Sequence, residues 1–554
     1  MLTPSILNSC RRKTKAGKKP LRFPPTLVFM CPTAHFVSGE AEKIGYPYRY
    51  RSRCQPKSYR TLNLGKTDKT DLFSLGKTDK IYYFCLGKTD KTDLFTLGKT
   101  DKDMIKRKID SYLEHFFEQN KKALLLTGAR QIGKTFSIRR LGHEHFEHFV
   151  EINFIESPNL VSVFSKATSS QDILLRLSTI TKQDLVKGKT LVFFDEVQEC
   201  PELVTAIKFL VEEGSYRYIL SGSLLGVEIK NLRSAPVGFM TIKDMYPLDF
   251  EEFASALGIN DKIIQMLKEH FNKGTAVDEF IHKKMMETFR LYLIVGGMPS
   301  AVVKYLDTNN LQEVMEEQRS IVRLYKQDIA KYDPDHKLYI EEIFERIPAE
   351  LDAKNKRFIL KNLNENLKFS RYQNSFLWLK DAGVALPVYN VEEPKVPLII
   401  SSSRNLFKLF MGDIGLLASL YADGIQLKIL DNEPSINFGS IYENAVAQEL
   451  CAHGFPLYYY NSKRQGELDF VIEQNGEVLP LEVKSGKDYE RHKALSNVLN
   501  STTYKIPRGY VLCNDNVKQV GKVTYLPIYM TMFIQKEQQL PTNYKIDLSG
   551  LLSC

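Results

Sequence analysis

The sequence predicts an α/β protein built around a parallel sheet. Three short apolar runs, at 123–127, 190–194 and 216–220, have the length and composition of buried strands. The first leads into a glycine-rich loop and an amphipathic stretch, the second into two acidic residues, and the third into Ser-Gly-Ser. The candidate chemistry therefore lies where these strands end.

The loop after the first run reads G-x-x-x-x-G-K-T, the pattern of a phosphate-binding loop. Its glycines let backbone N–H groups surround an anion, Lys134 reaches the β- and γ-phosphates, and the Thr135 hydroxyl binds Mg²⁺. The strand before it and the helical pattern after it are the context that this motif requires, so we predict a P-loop NTPase core that binds ATP and Mg²⁺. The candidate nucleotide-binding residues are Gly128, Ala129, Arg130, Gln131, Ile132, Gly133, Lys134, Thr135 and Phe136.

The second and third strands supply candidate residues for hydrolysis. The second ends in Asp195 and Glu196. We expect Asp195 to hold Mg²⁺ through water and Glu196 to polarise the attacking water. Ser221, after the third strand, would sense hydrolysis beside the γ-phosphate. Two acids at the end of a strand are common in isolation, but their pairing with the loop favours the catalytic interpretation.

Residues 1–103 differ from the rest of the chain in charge and in repetition. They carry 21 Lys and Arg against 9 Asp and Glu, which leaves 55 against 57 for 104–554. Their GKT triplets lack the upstream glycine of a phosphate-binding loop, so we expect a disordered or mis-started leader, with the folded protein beginning at Met104. These triplets belong to a phrase, LGKTDK, that recurs every 11 residues from Leu64, Leu75, Leu86 and Leu97.

Beyond these motifs, the chain resembles the AAA+ ATPases in the order of its phosphate-binding loop, its two acids and its polar-ended third strand. Later phrases are similar to those of a prokaryotic AAA+ family that has a C-terminal domain of unknown function. The resemblance implies an ATPase core at 104–258; the family's Gly-Arg pair is replaced here by Gly238 and Phe239, with Arg233 as an alternative arginine. The phrases are TIKDMYPLDFEEF (241–253), LYLIVGGMPSAVVKYL (291–306), FKLFMGDIGLLASL (407–420) and GSIYENAVAQEL (439–450).

A helical region at 259–400 follows the core. Its last part reads as helices at 341–351, 356–366 and 371–381, followed by a β-hairpin that begins with the strand 384–391. Three helices and a hairpin are typical of a winged helix, whose third helix would contact DNA. A protein-docking or lid module fits equally well, because this helix carries only one Arg and one Lys for phosphate contacts.

The C-terminal part, 401–540, contains a second candidate catalytic site. Two strands around a turn bring together Asp469, Glu482 and Lys484. This pattern resembles the PD-(D/E)xK phosphodiesterases, in which two carboxylates, here Asp469 and Glu482, hold Mg²⁺ and the lysine activates water. Glu443 matches a further acid of those folds, so we expect a restriction-endonuclease-like α/β domain, with 541–554 as a tail. An ordinary hairpin with cross-strand ion pairs explains the same charges.

Composition limits the class of protein and its partners. No window approaches the roughly 18 apolar residues of a membrane span, the first residues lack a secretory pattern, and the eight cysteines include no C-x-x-C pair, so we expect a cytoplasmic protein without membrane contact. The main hypothesis is an ATPase, with a homo-oligomer as one option, whose nucleotide state controls a C-terminal domain that acts on or binds DNA or RNA. The alternative is a signalling or chaperone-like switch with protein partners and an inactive nuclease-like platform, which the near-neutral charge of 104–554 favours.

Overall fold

A computed structural model describes residues 105–536 with internal gaps, and beyond them only 544 and 546. The gaps are 168, 182–183, 223–237, 333–336, 354–356, 359–368, 434–435 and 437. The expectations for the leader and for Arg233 lie outside the described residues. So do most of the predicted tail, most of the helix predicted at 356–366, and the side chain of Arg371.

The first sheet confirms the predicted parallel architecture. Its strands are β1 Ala123–Thr127, β2 His148–Asn153, β3 Thr190–Asp195, β4 Arg217–Ser221 and β5 Met240–Asp244. Their order is β2-β3-β4-β1-β5, and each neighbouring pair is parallel. Alternate side chains of β1 and β3 belong to two separate buried clusters, one on each face of the sheet. This two-sided burial explains why the strands read as continuous apolar runs.

Helices cover this sheet and continue into the region after it. Those of the ATPase core are α1 Lys108–Gln119, α2 Lys134–His145, α3 Asn159–Ser165, α4 Ser170–Ile180 and α5 Pro201–Glu213. Those that follow are α6 Phe250–Ala256, α7 Asp261–Lys273, α8 Glu279–Val295, α9 Pro299–Thr308, α10 Leu311–Tyr332, α11 Lys337–Asp352 and α12 Phe369–Asp381. Among the described residues, none of these helices is long and apolar enough to cross a membrane.

A second, mixed sheet dominates the C-terminal part. Its strands are β6 Ala385–Val391, β7 Ser402–Met411, β8 Tyr458–Ser462, β9 Gly466–Gln474, β10 Glu477–Val483, β11 Gly509–Cys513, β12 Lys518–Val520 and β13 Val523–Pro527. Within the described residues their order is β12-β13-β11-β10-β9-β8-β6-β7. The helices of this part are α13 Ile414–Ser419, α14 Ile425–Leu430, α15 Phe438–Ala452 and α16 Lys493–Leu499.

The β-hairpin expected of a winged helix forms, but it belongs to this larger sheet. Strands β6 and β7 pair in antiparallel fashion, and β6 also pairs in parallel with β8. The hairpin therefore continues the C-terminal sheet and does not stand as a free wing. The sequence pattern could not reveal this, because the pairing of β6 with β8 joins residues that lie about 70 positions apart.

The four phrases that carry the family resemblance meet in one buried hydrogen-bond network. The Asp413 carboxylate accepts a hydrogen bond from the Gly297 N–H at 2.7 Å and another from the Gln448 side chain at 3.3 Å. Glu449 accepts one from the Phe250 N–H at 2.6 Å. All four segments thus bind one another through groups removed from water, where an unpaired partner is costly.

Glycine is required where two of these segments touch. A Cβ atom on Gly297 would lie 2.1 Å from the carbonyl oxygen of Leu248. No larger residue fits there without a shift of the backbone. The turn after α8 can therefore pack directly on the segment that leads into α6.

Burial makes this network sensitive to pH. Burial and the nearby Asp249 carboxylate raise the pKa of Glu449 from 4.5 to about 7. In the unfolded chain Glu449 ionises near its ordinary pKa, whereas the folded protein holds the proton to a higher pH. Glu449 therefore favours folding at low pH, and this contribution is lost as the pH rises from about 4.5 through 7.

We expect Glu449→Gln to remove this pH dependence, because the amide keeps an acceptor for the Phe250 N–H and cannot ionise. The difference in melting midpoint, variant minus parent, should become more positive between pH 5 and pH 8 in thermal unfolding. Glu477→Gln, at the exposed first residue of β10, is the control and should show no such trend. A Glu449→Gln difference that stays constant across this range would show that Glu449 is ionised in the folded protein throughout.

Candidate active site

The phosphate-binding loop joins β1 to α2 in a conformation that requires its glycines. Gly128 has φ +134° and Gly133 has φ +94°, both in the region that side chains disfavour. A Cβ on Gly128 would also lie 2.2 Å from the Met245 carbonyl oxygen. Gln131 adopts φ +63° between them. The loop therefore turns sharply around its own backbone N–H groups.

The Lys134 side chain folds back over the loop. Its Nζ donates hydrogen bonds to the carbonyl oxygens of Gly128 at 3.0 Å and Ala129 at 2.8 Å. Burial lowers the pKa of Lys134 to about 8, although the Glu196 and Asp195 carboxylates oppose this shift. An amine held by neutral carbonyls in a buried position is suited to meet an anionic ligand.

Asp195 organises the polar ends of three strands. Its Oδ2 accepts hydrogen bonds from the Thr135 hydroxyl and the Asn153 amide, both at 3.0 Å. Its Oδ1 accepts one from the buried Ser221 hydroxyl and one from the Glu196 N–H at 3.0 Å. The structure therefore brings together the predicted residues of the first, second and third strands, with Asn153 as an additional member.

Glu196 lies immediately beside this cluster in an unusual backbone conformation. Its φ is +55°, which is uncommon for a residue other than glycine. The Gln198 side chain donates a hydrogen bond to Glu196 Oε2 at 2.5 Å. Such a contact holds the carboxylate in one orientation, as a residue that positions water requires.

The residues present fit a nucleotide with Mg²⁺. Within the described part of the chain, none of the backbone N–H groups from 129 to 135 has a partner among the hydrogen bonds of turns and caps. These N–H groups, the start of α2 and the Lys134 amine can surround phosphate oxygens. The Thr135 hydroxyl and the Asp195 carboxylate supply oxygen ligands of the kind that Mg²⁺ prefers. Phe136 is half exposed on the same turn of α2.

Arg107, just before α1, links the phosphate-binding loop to the segment after β5 through hydrogen bonds. Its guanidinium donates hydrogen bonds to the carbonyl oxygens of Ile132 at 3.0 Å and Tyr246 at 2.7 Å. It also lies 3.2 Å from a carboxylate oxygen of Glu252. The loop is thereby fixed to the segment that carries the PLDFEEF phrase.

Segments beyond the ATPase core also contact the loop. Arg130 forms an ion pair with Asp328 of α10, and the Tyr325 hydroxyl donates a hydrogen bond to the Arg130 carbonyl oxygen at 3.1 Å. The turn after α12 packs against Ala129 so closely that a Cβ on Gly383 would lie 3.0 Å from its nitrogen. The helical region therefore touches the nucleotide-binding loop at two successive residues.

A cavity of about 520 Å³ adjoins this contact. Its lining includes Gly128 and Ala129 of the loop, Gly383, and Tyr389 and Tyr458 of the C-terminal part. The start of the phosphate-binding loop and residues of the C-terminal sheet thus line the same cavity.

In the C-terminal part, β9 and β10 form the predicted hairpin. The pairing of Phe470 with Leu481 brings Asp469 across from Glu482, and the Val483 N–H donates to Asp469 Oδ2 at 2.8 Å. The Lys484 amine lies 2.7 Å from Glu482 Oε1. Burial and the Asp469 carboxylate raise the pKa of Glu482 to about 8.

A buried lysine that sequence reasoning missed lies among these acids. Lys408 of β7 has no exposed surface, and its Nζ is 2.9 Å from Glu467, 3.5 Å from Glu443 and 3.9 Å from Asp469. This arrangement differs from the expected two-carboxylate metal site. Among the described residues, no group of three or more His, Cys, Asp or Glu is arranged to hold a metal ion.

Some of the missed residues left a signal in the sequence. Lys408 interrupts an apolar strand run, Leu-Phe-Lys-Leu-Phe-Met, where a charged side chain demands a buried partner. Asn153 ends a strand run, as Asp195 does. Arg107 and Asp328 left no local signal, because their partners are distant in sequence.

Three protein families match successive parts of the chain. Residues 120–254 match an AAA domain family. Residues 286–429 and 438–530 match two domains of unknown function, DUF8612 and DUF4143 respectively. No curated protein matches the chain. The chain thus contains an AAA-type P-loop NTPase domain, followed by two regions whose families carry no assigned function.

Solved structures to which this chain is similar include a Walker-type ATPase of Pyrococcus abyssi. It is 16% identical over 58% of this chain and 97% of its own, with a TM-score of 0.37. The RuvB Holliday junction branch migration motor of Thermotoga maritima and a single-substitution variant of it are each 14% identical. Each comparison covers 52% of this chain and 89% of the Thermotoga maritima chain, with a TM-score of 0.24.

We expect Lys134→Ala to weaken ATP binding by roughly tenfold or more, because it removes a charge-assisted contact to the phosphates. Glu196→Gln should leave binding intact and slow hydrolysis by about a hundredfold or more, because it removes the group that polarises water. Fluorescent-nucleotide anisotropy and phosphate release measure the two effects.

The exposed residues Lys187 and Glu202 provide matched controls, as Lys187→Ala and Glu202→Gln. Neither control should change binding or turnover. Parental turnover in Glu196→Gln would remove Glu196 from the catalytic role.

Proposed function

We propose that this protein is an ATPase whose nucleotide state controls what its C-terminal domain binds. The contact between Arg130 and Asp328 carries the proposal, because it joins the nucleotide-binding loop to α10 through an ion pair. The Arg130 side chain is 30% exposed and that of Asp328 9%. Phosphate groups of a bound nucleotide would compete with the Asp328 carboxylate for the Arg130 guanidinium.

Helix α10 extends from the loop towards the C-terminal sheet. Two turns before Tyr325, the Gln318 amide donates hydrogen bonds to the carbonyl oxygens of Ile294 and Val295, at 2.8 and 2.9 Å. A Cβ on Gly415, in the first turn of α13, which follows β7, would meet this same amide at 2.6 Å. A shift of α10 would therefore disturb the turn that follows β7.

For hydrolysis, the chain supplies groups with distinct tasks. Lys134 and the loop N–H groups bind and orient the phosphates, while Thr135 and Asp195 would hold Mg²⁺, which neutralises charge that develops on them. Glu196, oriented by Gln198, positions a water molecule for attack on the terminal phosphorus and accepts its proton. Ser221 connects the nucleotide site to β4 through Asp195.

For the C-terminal domain we propose a PD-(D/E)xK-like fold that binds nucleic acid. The hairpin with Asp469, Glu482 and Lys484, and Glu443 on the adjacent helix α15, support this likeness. The second candidate is a protein partner, which the charge of 104–554 favours, since 55 basic against 57 acidic residues would not attract a polyanion.

The test compares nucleic-acid binding in two nucleotide states. In Glu196→Gln, anisotropy of labelled single- and double-stranded DNA and RNA is measured without nucleotide and with ATP and Mg²⁺. We expect the affinity to change by roughly tenfold between the two states. Adding Asp328→Asn should abolish this difference, whereas Glu316→Gln, an exposed acid on the same helix, should preserve it.

Equal affinity in the two states would contradict the proposed control by nucleotide. Failure to bind any of these nucleic acids in either state would exclude them as ligands and favour the protein partner.

A further inference from the structure

The environment of Lys408 is built to hold one cation. The carboxylates around its amine come from two elements that are distant in sequence from β7: Glu443 from α15, and Glu467 and Asp469 from β9. The ring centroid of Tyr459, on β8, lies 5.2 Å from the amine. Carboxylates and an aromatic face are both favourable neighbours of a positive charge.

The remaining groups of the predicted metal set already have protein partners. The second oxygen of Asp469 accepts a hydrogen bond from the Val483 N–H at 2.8 Å. Glu482 pairs with the Lys484 amine at 2.7 Å. Neither carboxylate therefore depends on a metal ion for a partner.

Because Lys408 is fully buried, its positive charge is needed to compensate the carboxylates around it. A buried charge is tolerated only when it is paired, and removal of one partner leaves the others uncompensated. A divalent cation would satisfy the same carboxylates, but it would also supply a Lewis acid, which an ammonium group cannot provide.

We propose that the Lys408 ammonium takes the place of the divalent cation among Glu443, Glu467 and Asp469, so that the C-terminal domain binds its partner without metal-dependent phosphodiester cleavage. This inference rests on the proposed PD-(D/E)xK likeness of that domain. In this proposal the C-terminal domain is a binding platform, and Lys408 is the residue that explains why it does not cleave.

The test is a titration of the nucleotide-free full chain with Mn²⁺, in which the melting midpoint is measured at each metal concentration. The midpoint of the parent should not respond to Mn²⁺ through this site. Lys408→Met should melt at a lower temperature and regain stability when Mn²⁺ is added, because the freed carboxylates then bind the metal. Adding Asp469→Asn to Lys408→Met should weaken this recovery.

Two further variants make the comparison specific. Lys395→Met removes an exposed lysine paired with Glu393 and should behave as the parent does, so any response shared by all variants belongs to the nucleotide site. Lys408→Met with Glu443→Gln removes one charge of each sign, and it serves as the folded sample if Lys408→Met alone does not fold. It should also gain stability from Mn²⁺.

Two results would overturn the proposal. One is a stabilisation of the parent by Mn²⁺ that disappears in Asp469→Asn, which would mean that metal binds beside the lysine. The other is the absence of any added Mn²⁺ response in both Lys408 variants. The nucleic-acid binding experiment above is independent of both outcomes, so failure of this inference and failure of the proposed function remain distinguishable.

Discussion

The structure depends on buried hydrogen bonds that Asp413 and Glu449 accept from backbone N–H groups of the helical region and of the ATPase core. Asp413, in the turn after β7, accepts a hydrogen bond from the Gly297 N–H, and Glu449, in α15, accepts one from the Phe250 N–H. Gln448, also in α15, donates a hydrogen bond to Asp413. None of these groups has access to water in exchange, so separating the segments would leave polar groups unsatisfied. The ATPase core and the C-terminal sheet are for this reason parts of one packed unit.

Two buried lysines show how the same side chain serves opposite purposes. Burial lowers the pKa of Lys134, whose recorded hydrogen bonds go to neutral carbonyls, and an anionic ligand would restore its preference for the charged form. Burial also disfavours the charged form of Lys408, but the carboxylates of Glu443, Asp469 and Glu467 outweigh that effect and raise its pKa. The first lysine is suited to bind a ligand, whereas the charge of the second is already satisfied within the chain.

Sequence patterns predicted the elements whose structure depends on residues close together in the chain. The phosphate-binding loop between β1 and α2, the strand that ends in Asp195 and the hairpin that carries Asp469 all have short-range signals in their glycines, apolar runs and turn residues. Contacts between distant segments were not predictable in this way: the ion pair of Arg130 with Asp328, the pairing of β6 with β8 and the position of Lys408 each depend on tertiary packing. The winged-helix expectation missed the larger sheet for the same reason, because a hairpin pattern does not reveal which strand lies beside it.

The central claim is that nucleotide binding alters the C-terminal part through this shared packing. Hydrogen exchange of backbone amides in Glu196→Gln, measured with and without ATP and Mg²⁺, tests it most directly. We predict changed protection in α10, at 411–416 and in α15, besides the loop at 128–135. A change confined to 128–135 and to the end of β3 would contradict it, since the nucleotide would then act on its own site alone.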